Sequence, residues 1–164
     1  MKRLIVYVHG KGGSAQEAEH YKSLFPKDEV IGFDYRSQTP WQAKKEFFAF
    51  FTEQRGRCEH LTLVANSIGA FFTLSSLDET LVDRAYFISP IVDMENLICN
   101  MMQWSGVTEQ ELALTSIETV SAFAKLHHAD LTVISGGEHW FHTDEQMQFL
   151  DKWIRERSLN DVCG

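Results

Sequence analysis

Short apolar runs alternate along this chain with segments of helical period, and this alternation limits the possible folds more than any other feature. Runs with the length and content of strands buried on both faces lie at residues 4–8, 30–33, 61–64, 85–89 and 131–135. Helix-like segments lie at residues 14–24, 40–54, 68–77, 93–104, 108–126 and 143–157. The order predicts an α/β fold in which helices cover both faces of a mostly parallel sheet of about five strands, ordered 2-1-3-4-5.

Length and charge narrow the classes of protein that the chain can represent. Its 164 residues suffice for one hydrophobic core and are few for two, so we expect a single domain over residues 1–157 and a flexible tail over residues 158–164. The chain has 15 Lys and Arg against 23 Asp and Glu, a net charge of -8. That charge repels nucleic acid and anionic membrane surfaces, and neither is an expected partner.

The amino-terminal run and the cysteines bear on the compartment. The apolar run that ends at His9 and Gly10 is too short for the core of a signal peptide or for the ~20 residues of a membrane span, so a cytoplasmic location is predicted. Cys58, Cys99 and Cys163 are odd in number and lack the spacing of metal or redox sites. We interpret them as reduced thiols.

Paired histidines raise the question of a metal site. His127 and His128 are adjacent, and His139 and His142 lie close together, but neither pair has a carboxylate or cysteine partner at ligand spacing. Adjacent residues on a helix also point in different directions. The sequence therefore predicts no metal and no cofactor.

A cluster of phenylalanines lies in the second helix-like segment, in the sequence EFFAFF. The four rings would cover most of the circumference of a helix, so at least one of them should be exposed or lie against another element. Packing against the sheet is the expected role of the others. An aromatic binding platform is the alternative.

Ser67 lies where the third apolar run passes into a helix without a loop. The surrounding Ala65-Asn66-Ser67-Ile68-Gly69 has small residues two positions on either side of the serine, which is the pattern of a nucleophile elbow with Ala in place of the first Gly. In such a turn the backbone N–H of Ile68 can stabilise an oxyanion beside the serine. The alternative is that Ser67 simply caps the helix.

The first apolar run ends in His9-Gly10 and is followed by a glycine-rich turn. Because the carboxyl ends of parallel strands share one edge of the sheet, this turn is expected near Ser67. The backbone N–H of Lys11 is then a second candidate oxyanion donor, and His9 and Gly10 are candidates for the substrate pocket. A flexible turn before a helix is the alternative.

His139 follows the last predicted strand and precedes the final helix-like segment. A neutral imidazole at this edge could accept the proton of Ser67 and return it to a leaving group. The neighbouring Trp140 is a candidate for the wall of an apolar pocket. The alternative for both residues is packing within the loop.

Together these motifs resemble those of the α/β-hydrolase family, in particular its small, compact, bacterial esterase-like members. VYVHGKGGS resembles the oxyanion strand and loop, LVANSIGAFF the elbow, AYFISP the next strand, and LTVISGGEHWF the histidine loop before the last helix. The resemblance implies a three-layer sandwich. It also implies that Ser67 is the nucleophile, that His139 is the base, and that the amides of Lys11 and Ile68 form the oxyanion hole.

The acid that orients the histidine in this family has no obvious counterpart. The family places it on a strand that should lie between residues 107 and 129, but VTEQELALTSIETVSAFAKLHHA is polar and helical in period. A cap and an acid-bearing strand, together ~40 to 50 residues, are therefore expected to be absent. Asp93, whose alternative role is a helix cap, and Glu111, whose alternative role is a solvated helix face, are the candidate replacements.

The function predicted from this set is that of a serine hydrolase that cleaves small esters through an acyl-enzyme. Thioesterase or amidase activity would use the same residues. A module that keeps the fold but only binds or interacts is the alternative from another class, because the acid strand is missing. The missing strand would also expose apolar surface that a second copy of the chain could cover, so a homodimer is an expectation.

Overall fold

The computed structural model describes residues 2–78, 80–91, 117–137 and 141–159. The strands are β1 (Arg3–Val8), β2 (Glu29–Phe33), β3 (His60–Asn66) and β4 (Arg84–Ile88). The helices are α1 (Ala18–Lys22, after a 3-10 turn at Ala15–Glu17), α2 (Pro40–Arg55), α3 (Ile68–Ser76), α4 (Ile117–Leu126) and α5 (Asp144–Leu159). The first four predicted strands are thus confirmed, and the predicted helix 93–104 lies outside the described residues.

Within the described residues the sheet has four strands, all parallel, in the order β2-β1-β3-β4. Ile5 in β1 lies opposite Val30 in β2 and Thr62 in β3, so β1 is an interior strand. Its residues from Leu4 to Val8 are all buried, which explains why this run is apolar without alternation. The α/β class and the predicted order of the first four strands are confirmed.

The chain divides into two compact units, residues 1–90 with 151–164 and residues 91–150. The first unit contains the whole sheet, helices α1 to α3 and the last part of α5. The second contains α4 and the chain that follows it. The single domain expected over residues 1–157 and the flexible tail stay predictions.

The fifth predicted strand, residues 131–135, is wrong. This part of the second unit is described by the structure and forms no strand. Leu131 and Val133 are 40% and 59% exposed. An apolar run becomes a strand only when a neighbour accepts its backbone hydrogen bonds, and the run itself carries no information about that neighbour.

Helix α1 and the last part of α5, from Asp151 onward, cover one face of the sheet. Tyr7, Val64 and Tyr86 are in register on adjacent strands, so their side chains point to the same face. On that face the ring of Tyr7 stacks on Tyr21 of α1 at 4.9 Å, and the ring of Tyr86 meets Trp153 of α5 at 5.8 Å.

Helices α2 and α3 cover the opposite face. Phe33 follows Gly32, the register partner of Tyr7, and so points to the other side of the sheet. There its ring lies 4.9 Å from that of Phe47 in α2, and Phe47 lies 6.0 Å from Phe72 in α3. The first unit is therefore a three-layer α/β sandwich, as predicted.

The phenylalanines of α2 behave as expected of a helix on a sheet. Thr39 caps the helix by accepting a hydrogen bond from the amide of Gln42 at 3.4 Å, and Pro40 opens its first turn. Phe47 and Phe51 are fully buried, whereas Phe48 is 48% exposed. Core packing is thus the main role of this aromatic cluster.

Candidate active site

Ser67 occupies a backbone conformation that is rare for any residue other than glycine. It lies between β3 and α3 with φ 51° and ψ -119°. A capping serine normally has an extended backbone and accepts a hydrogen bond from the first turn, but the Ser67 side chain makes no such bond. The structure therefore has the geometry of a nucleophile elbow and not that of an N-cap.

Close packing around the elbow explains the small residues in the Ala65-to-Gly69 pattern. A β-carbon added to Gly69 would lie 2.4 Å from the carbonyl oxygen of His9, a backbone atom that cannot give way cheaply. Ala65 is fully buried in register with Val8 of β1. The amide of Ser67 donates to the carbonyl oxygen of Ile88 in β4 at 2.9 Å. The sharp turn is thus held between the two neighbouring strands.

The glycine-rich turn after β1 lies directly beside the elbow. A β-carbon on Gly10 would be 3.3 Å from Cβ of Ser67, a tighter contact than β-carbons usually make, so the turn lies close against the serine. The amide of Gly13 donates to the carbonyl of Gly10 at 3.2 Å, and Gly12 has φ 76°, as the third position of a type II turn requires. The structure thereby brings Gly10 and Ser67 together, as the sequence predicts.

The two backbone amides that the sequence predicts as oxyanion donors, those of Lys11 and Ile68, lie in this region, and their role stays a prediction. Ile68 begins α3, and the first amides of a helix have no partner inside it. The carbonyl of Ser67 accepts the later amides of Ala70 and Phe71 at 3.1 and 3.4 Å. Lys11 follows Gly10 in the neighbouring turn. Partial positive charge at a helix start favours a developing negative charge there.

His9 is tied to its surroundings by stacking and a hydrogen bond. Its ring lies 4.3 Å from that of Tyr35 with 13° between the planes. Its Nδ1 is 2.8 Å from the carbonyl oxygen of Gly10, and Nδ1 must donate because a carbonyl only accepts. The role of His9 in a substrate pocket stays a prediction.

Two tyrosine hydroxyls that the sequence did not single out also reach this turn. Tyr35 donates to the carbonyl of His9 at 2.9 Å, and Tyr7 donates to the Glu17 carboxylate, which also accepts the amide of Ser14 at 3.0 Å. Tyr35 follows β2 at the carboxyl edge of the sheet, so its position in the sequence was a usable signal. Tyr7, in contrast, lies within β1, and its sequence position indicates only a core residue.

Burial keeps both hydroxyls protonated. It is the main cause that raises the pKa of Tyr35, and the carboxylates of Glu46 and Glu17 add to it. Burial likewise raises the pKa of Tyr7, with further contributions from Tyr21 and Glu17, against a smaller lowering by a hydrogen bond from Asn66. Each phenol therefore keeps its proton at neutral pH and can serve as a hydrogen-bond donor there.

The remaining predicted site residues fall outside the described parts of the chain. These are His139, Trp140, Asp93 and Glu111. Their roles stay predictions, and so does the reduced state of Cys99 and Cys163, which are not described either. Cys58 is a free thiol that donates to the carbonyl of Gln54 at 3.3 Å.

The described ranges hold neither a cluster of metal ligands nor a membrane-spanning helix. Residues 2–78, 80–91, 117–137 and 141–159 contain no group of three or more His, Cys, Asp or Glu that could hold a metal ion. No helix in those ranges is long and apolar enough to cross a membrane. The cytoplasmic location stays a prediction.

The fold is similar to that of a carboxylesterase from Mesorhizobium loti. The crystal structure of that protein matches with a TM-score of 0.66 and 14% sequence identity, over 94% of this chain and 88% of that chain. No family model matches the sequence, and no curated protein matches it. At this identity the likeness shows the fold alone: the chain has a hydrolase-like α/β fold.

Proposed function

We propose that this protein is a serine hydrolase that cleaves small carboxylic esters through an acyl-enzyme. In the proposed site Ser67 is the nucleophile, His139 is the general base, and the amides of Lys11 and Ile68 hold the oxyanion. The ester-like substrate is a small molecule, and no cofactor takes part.

The backbone of Ser67 carries this proposal. A positive φ at a non-glycine residue costs ~1 to 3 kcal/mol, and it persists only where the surrounding structure imposes it. Here it lies at a strand-to-helix junction, beside a glycine-rich turn, and without the hydrogen bond of a cap. A conformation that lifts a hydroxyl above the carboxyl edge of a sheet has an evident use in attack on a carbonyl.

In the proposed reaction Oγ of Ser67 bonds to the ester carbonyl carbon while its proton passes to His139. The carbonyl π electrons move to the oxygen, which the amides of Lys11 and Ile68 stabilise. The intermediate then expels the alkoxide, which takes the proton from His139 and leaves as the alcohol. A water molecule attacks the acyl-enzyme by the same steps and releases the acid.

We propose that Asp93 is the acid that orients His139, with Glu111 as the alternative. In serine proteases kcat falls about 10⁴-fold when the catalytic histidine has the wrong tautomer, so the identity of the orienting acid has a large consequence. The wider class of ester, thioester or amide substrates is set by pocket walls rather than by these residues.

One observation favours a second candidate, a binding or interaction module that labels but does not turn over. In the family that the sequence resembles, a strand precedes and supports the histidine loop. Here residues 131–135, which precede that loop, form no strand in the described chain. A poorly supported histidine would leave an acyl-enzyme that water attacks slowly. The homodimer expected from the sequence accords with such a module and stays a prediction.

The deciding experiment is active-site titration with a fluorophosphonate probe, followed by turnover of a short-chain p-nitrophenyl ester. Ser67→Ala should abolish labelling, and His139→Ala should slow both labelling and turnover by about 10³ or more. Ser75→Ala is the matched control, because Ser75 also lies in α3 but donates to the carbonyl of Phe72. It should leave both rates unchanged.

Acid variants and alternative substrates complete the experiment. A further collapse of turnover in Asp93→Asn, but not in Glu111→Gln, would support Asp93 as the orienting acid. A thioester and an anilide of the same acyl group compare the related activities. Labelling of Ser67 without deacylation would favour the binding module, and a wild type that neither labels nor hydrolyses any of the three would overturn the proposal.

A further inference from the structure

We propose that Tyr35 and Tyr7 are positioning residues whose hydroxyls hold the two ends of the oxyanion loop, residues 9–17, so that the amide of Lys11 faces the oxyanion. This inference rests on the proposed function. It adds two residues that touch neither substrate nor nucleophile but act through the backbone of the loop.

Tyr35 fixes the beginning of the loop. Its hydroxyl donates to the carbonyl of His9 at 2.9 Å while its ring stacks on the imidazole of the same residue. The Tyr35 ring is itself held in the core, 5.1 Å from Phe47 and 5.9 Å from Phe72. A carbonyl held in this way sets the plane of the peptide that leads into Gly10.

Glu46 extends this support to the chain after β2. Its carboxylate accepts the amides of Arg36 and Ser37 at 2.9 Å each, and Ser37 also donates its hydroxyl. These bonds tie the segment directly after Tyr35 to helix α2. Tyr35 is therefore anchored on both sides, by its ring in the core and by the bonds of the following residues to α2, and accurate positioning of the oxyanion loop requires such support.

Tyr7 fixes the end of the loop from the opposite face of the sheet. Its hydroxyl bonds one oxygen of Glu17, and the other oxygen accepts the amide of Ser14. Gly13 packs against this carboxylate, because a β-carbon there would lie 2.6 Å from Oε1 of Glu17. The carboxylate thus joins the buried ring of Tyr7 to the last part of the turn.

The composition of the loop explains why such support is needed. Gly10, Gly12 and Gly13 have no side chains that could anchor the turn, and Gly12 adopts a positive φ. An oxyanion donor must come within ~2.7 to 3.1 Å of the developing charge, and a displacement of about 1 Å can cost 10²-fold in rate. Hydrogen bonds from outside the loop supply the orientation that its own residues do not.

The test compares Tyr35→Phe and Tyr7→Phe with Tyr86→Phe. Tyr86 is a matched control because it is equally buried and its hydroxyl is also bonded, but to Arg84 and Ser158. Each variant is assayed for kcat and KM with the p-nitrophenyl ester. A trifluoromethyl ketone, whose adduct with Ser67 carries an oxyanion, is measured as an inhibitor.

We expect kcat to fall about tenfold in Tyr35→Phe and Tyr7→Phe with KM nearly unchanged, because the negative charge on the oxygen develops only after the bound ester is attacked. Binding of the ketone should weaken by the same factor. Tyr86→Phe should change neither. A rise in KM with constant kcat, or equal losses in all three variants, would overturn the inference.

Amide hydrogen exchange of residues 10–13 gives a readout that does not need turnover. Exchange should accelerate in Tyr35→Phe and Tyr7→Phe and stay at the wild-type rate in Tyr86→Phe. Unchanged exchange in the first two variants would show that the hydroxyls do not hold the loop. If the wild type proves inactive while exchange responds as expected, the proposed function fails and the tyrosines hold the loop for another purpose.

Discussion

The carboxyl and amino edges of the sheet are built in different ways. At the carboxyl edge Ser67 and Ser89 follow their strands with φ 51° and 45°, and Gly69 lies against the backbone of β1. This edge combines unusual backbone conformations with close approach of main chains. It has the character of a site in which geometry is imposed by the surroundings.

The amino edge is held instead by charges on ordinary backbone. Arg55 bonds both oxygens of Asp83, which also accepts the amide of Leu61 at 2.7 Å. Lys2 pairs with Glu29 at 3.2 Å. None of these residues has a positive φ. One edge thus carries the strained backbone of the candidate site, whereas ion pairs and hydrogen bonds on unstrained backbone hold the other.

Gly69→Ala should lower the free energy of unfolding most, and the change in structure should be confined to the carboxyl edge of the sheet. The added β-carbon would meet the His9 carbonyl, so the elbow and the oxyanion loop must separate. We expect a loss of about 3 kcal/mol in the free energy of unfolding, because overpacking against backbone is relieved only by moving it. Ester hydrolysis should fall by at least about 10². Urea unfolding and kcat/KM measure the two effects.

Gly56→Ala is the matched control at the other edge. Gly56 ends α2 with φ -65°, and its β-carbon would make ordinary contact at 3.4 Å. The substitution should be neutral or stabilise by about 0.5 kcal/mol, because alanine restricts the unfolded chain. Equal destabilisation by the two substitutions would remove the distinction between the edges.

Asp83→Asn should weaken the amino edge and leave activity intact. Partial burial raises the pKa of Asp83, but hydrogen bonds from Arg55 and Leu61 outweigh it, so the pKa lies below the ordinary 3.8. Loss of the charge should cost about 1 to 2 kcal/mol, at the lower end because the carboxylate is partly exposed. Urea unfolding at several pH values, with kcat alongside, tests this.

The pH dependence follows from the direction of the shift. Because the pKa of Asp83 is lower in the folded than in the unfolded state, its stabilisation is complete above the unfolded value and is lost as pH falls through the folded value. The difference in free energy of unfolding between the wild type and Asp83→Asn should thus be constant near neutral pH and should disappear below about pH 4. Glu53→Gln, which removes an exposed pair with Arg57, should change stability little at any pH. If this difference in free energy of unfolding persisted in acid, the charged carboxylate of Asp83 could not be its source.

Ser67→Gly should change stability less than Gly69→Ala or Asp83→Asn, and with the opposite sign. Glycine adopts φ 51° without strain, so relief of ~1 to 3 kcal/mol is offset by its greater freedom in the unfolded state. We expect a net gain of about 1 kcal/mol together with complete loss of labelling by a fluorophosphonate. Thermal and urea unfolding measure the gain.

Ser75→Gly provides the comparison for that substitution. Ser75 lies inside α3, where glycine should cost about 0.5 to 1 kcal/mol. If Ser67→Gly destabilises as much as Ser75→Gly, the backbone of Ser67 is not strained and the geometric basis of the elbow is lost.

The sequence predicts those features whose cause is local. β1 and β3 are recognisable because strands buried on both faces are continuously apolar, and the elbow because its close packing admits only small residues two positions on either side of Ser67. Residues 131–135 have the same local character but no partner strand in the described chain. A run of apolar residues does not specify its neighbours.

Features that depend on distant contacts were not predictable. The hydrogen bond from Tyr35 joins residues 26 positions apart and exists because α2 and α3 hold the tyrosine ring in place. The sequence position of a tyrosine does not reveal which distant group its hydroxyl will bond. The same limit applies to Tyr7, whose core position gave no indication that it bonds Glu17.

The covering of Tyr86 by Trp153 has a consequence for how the protein is made. All four described strands are synthesised by Ile88, but α5 begins only at Asp144. During that interval the nascent sheet lacks α5, and the ring of Tyr86 has no indole against it. A nascent chain that exposes apolar surface is prone to aggregate and to be bound by chaperones, and here the cover of this face is complete only once α5 has been made.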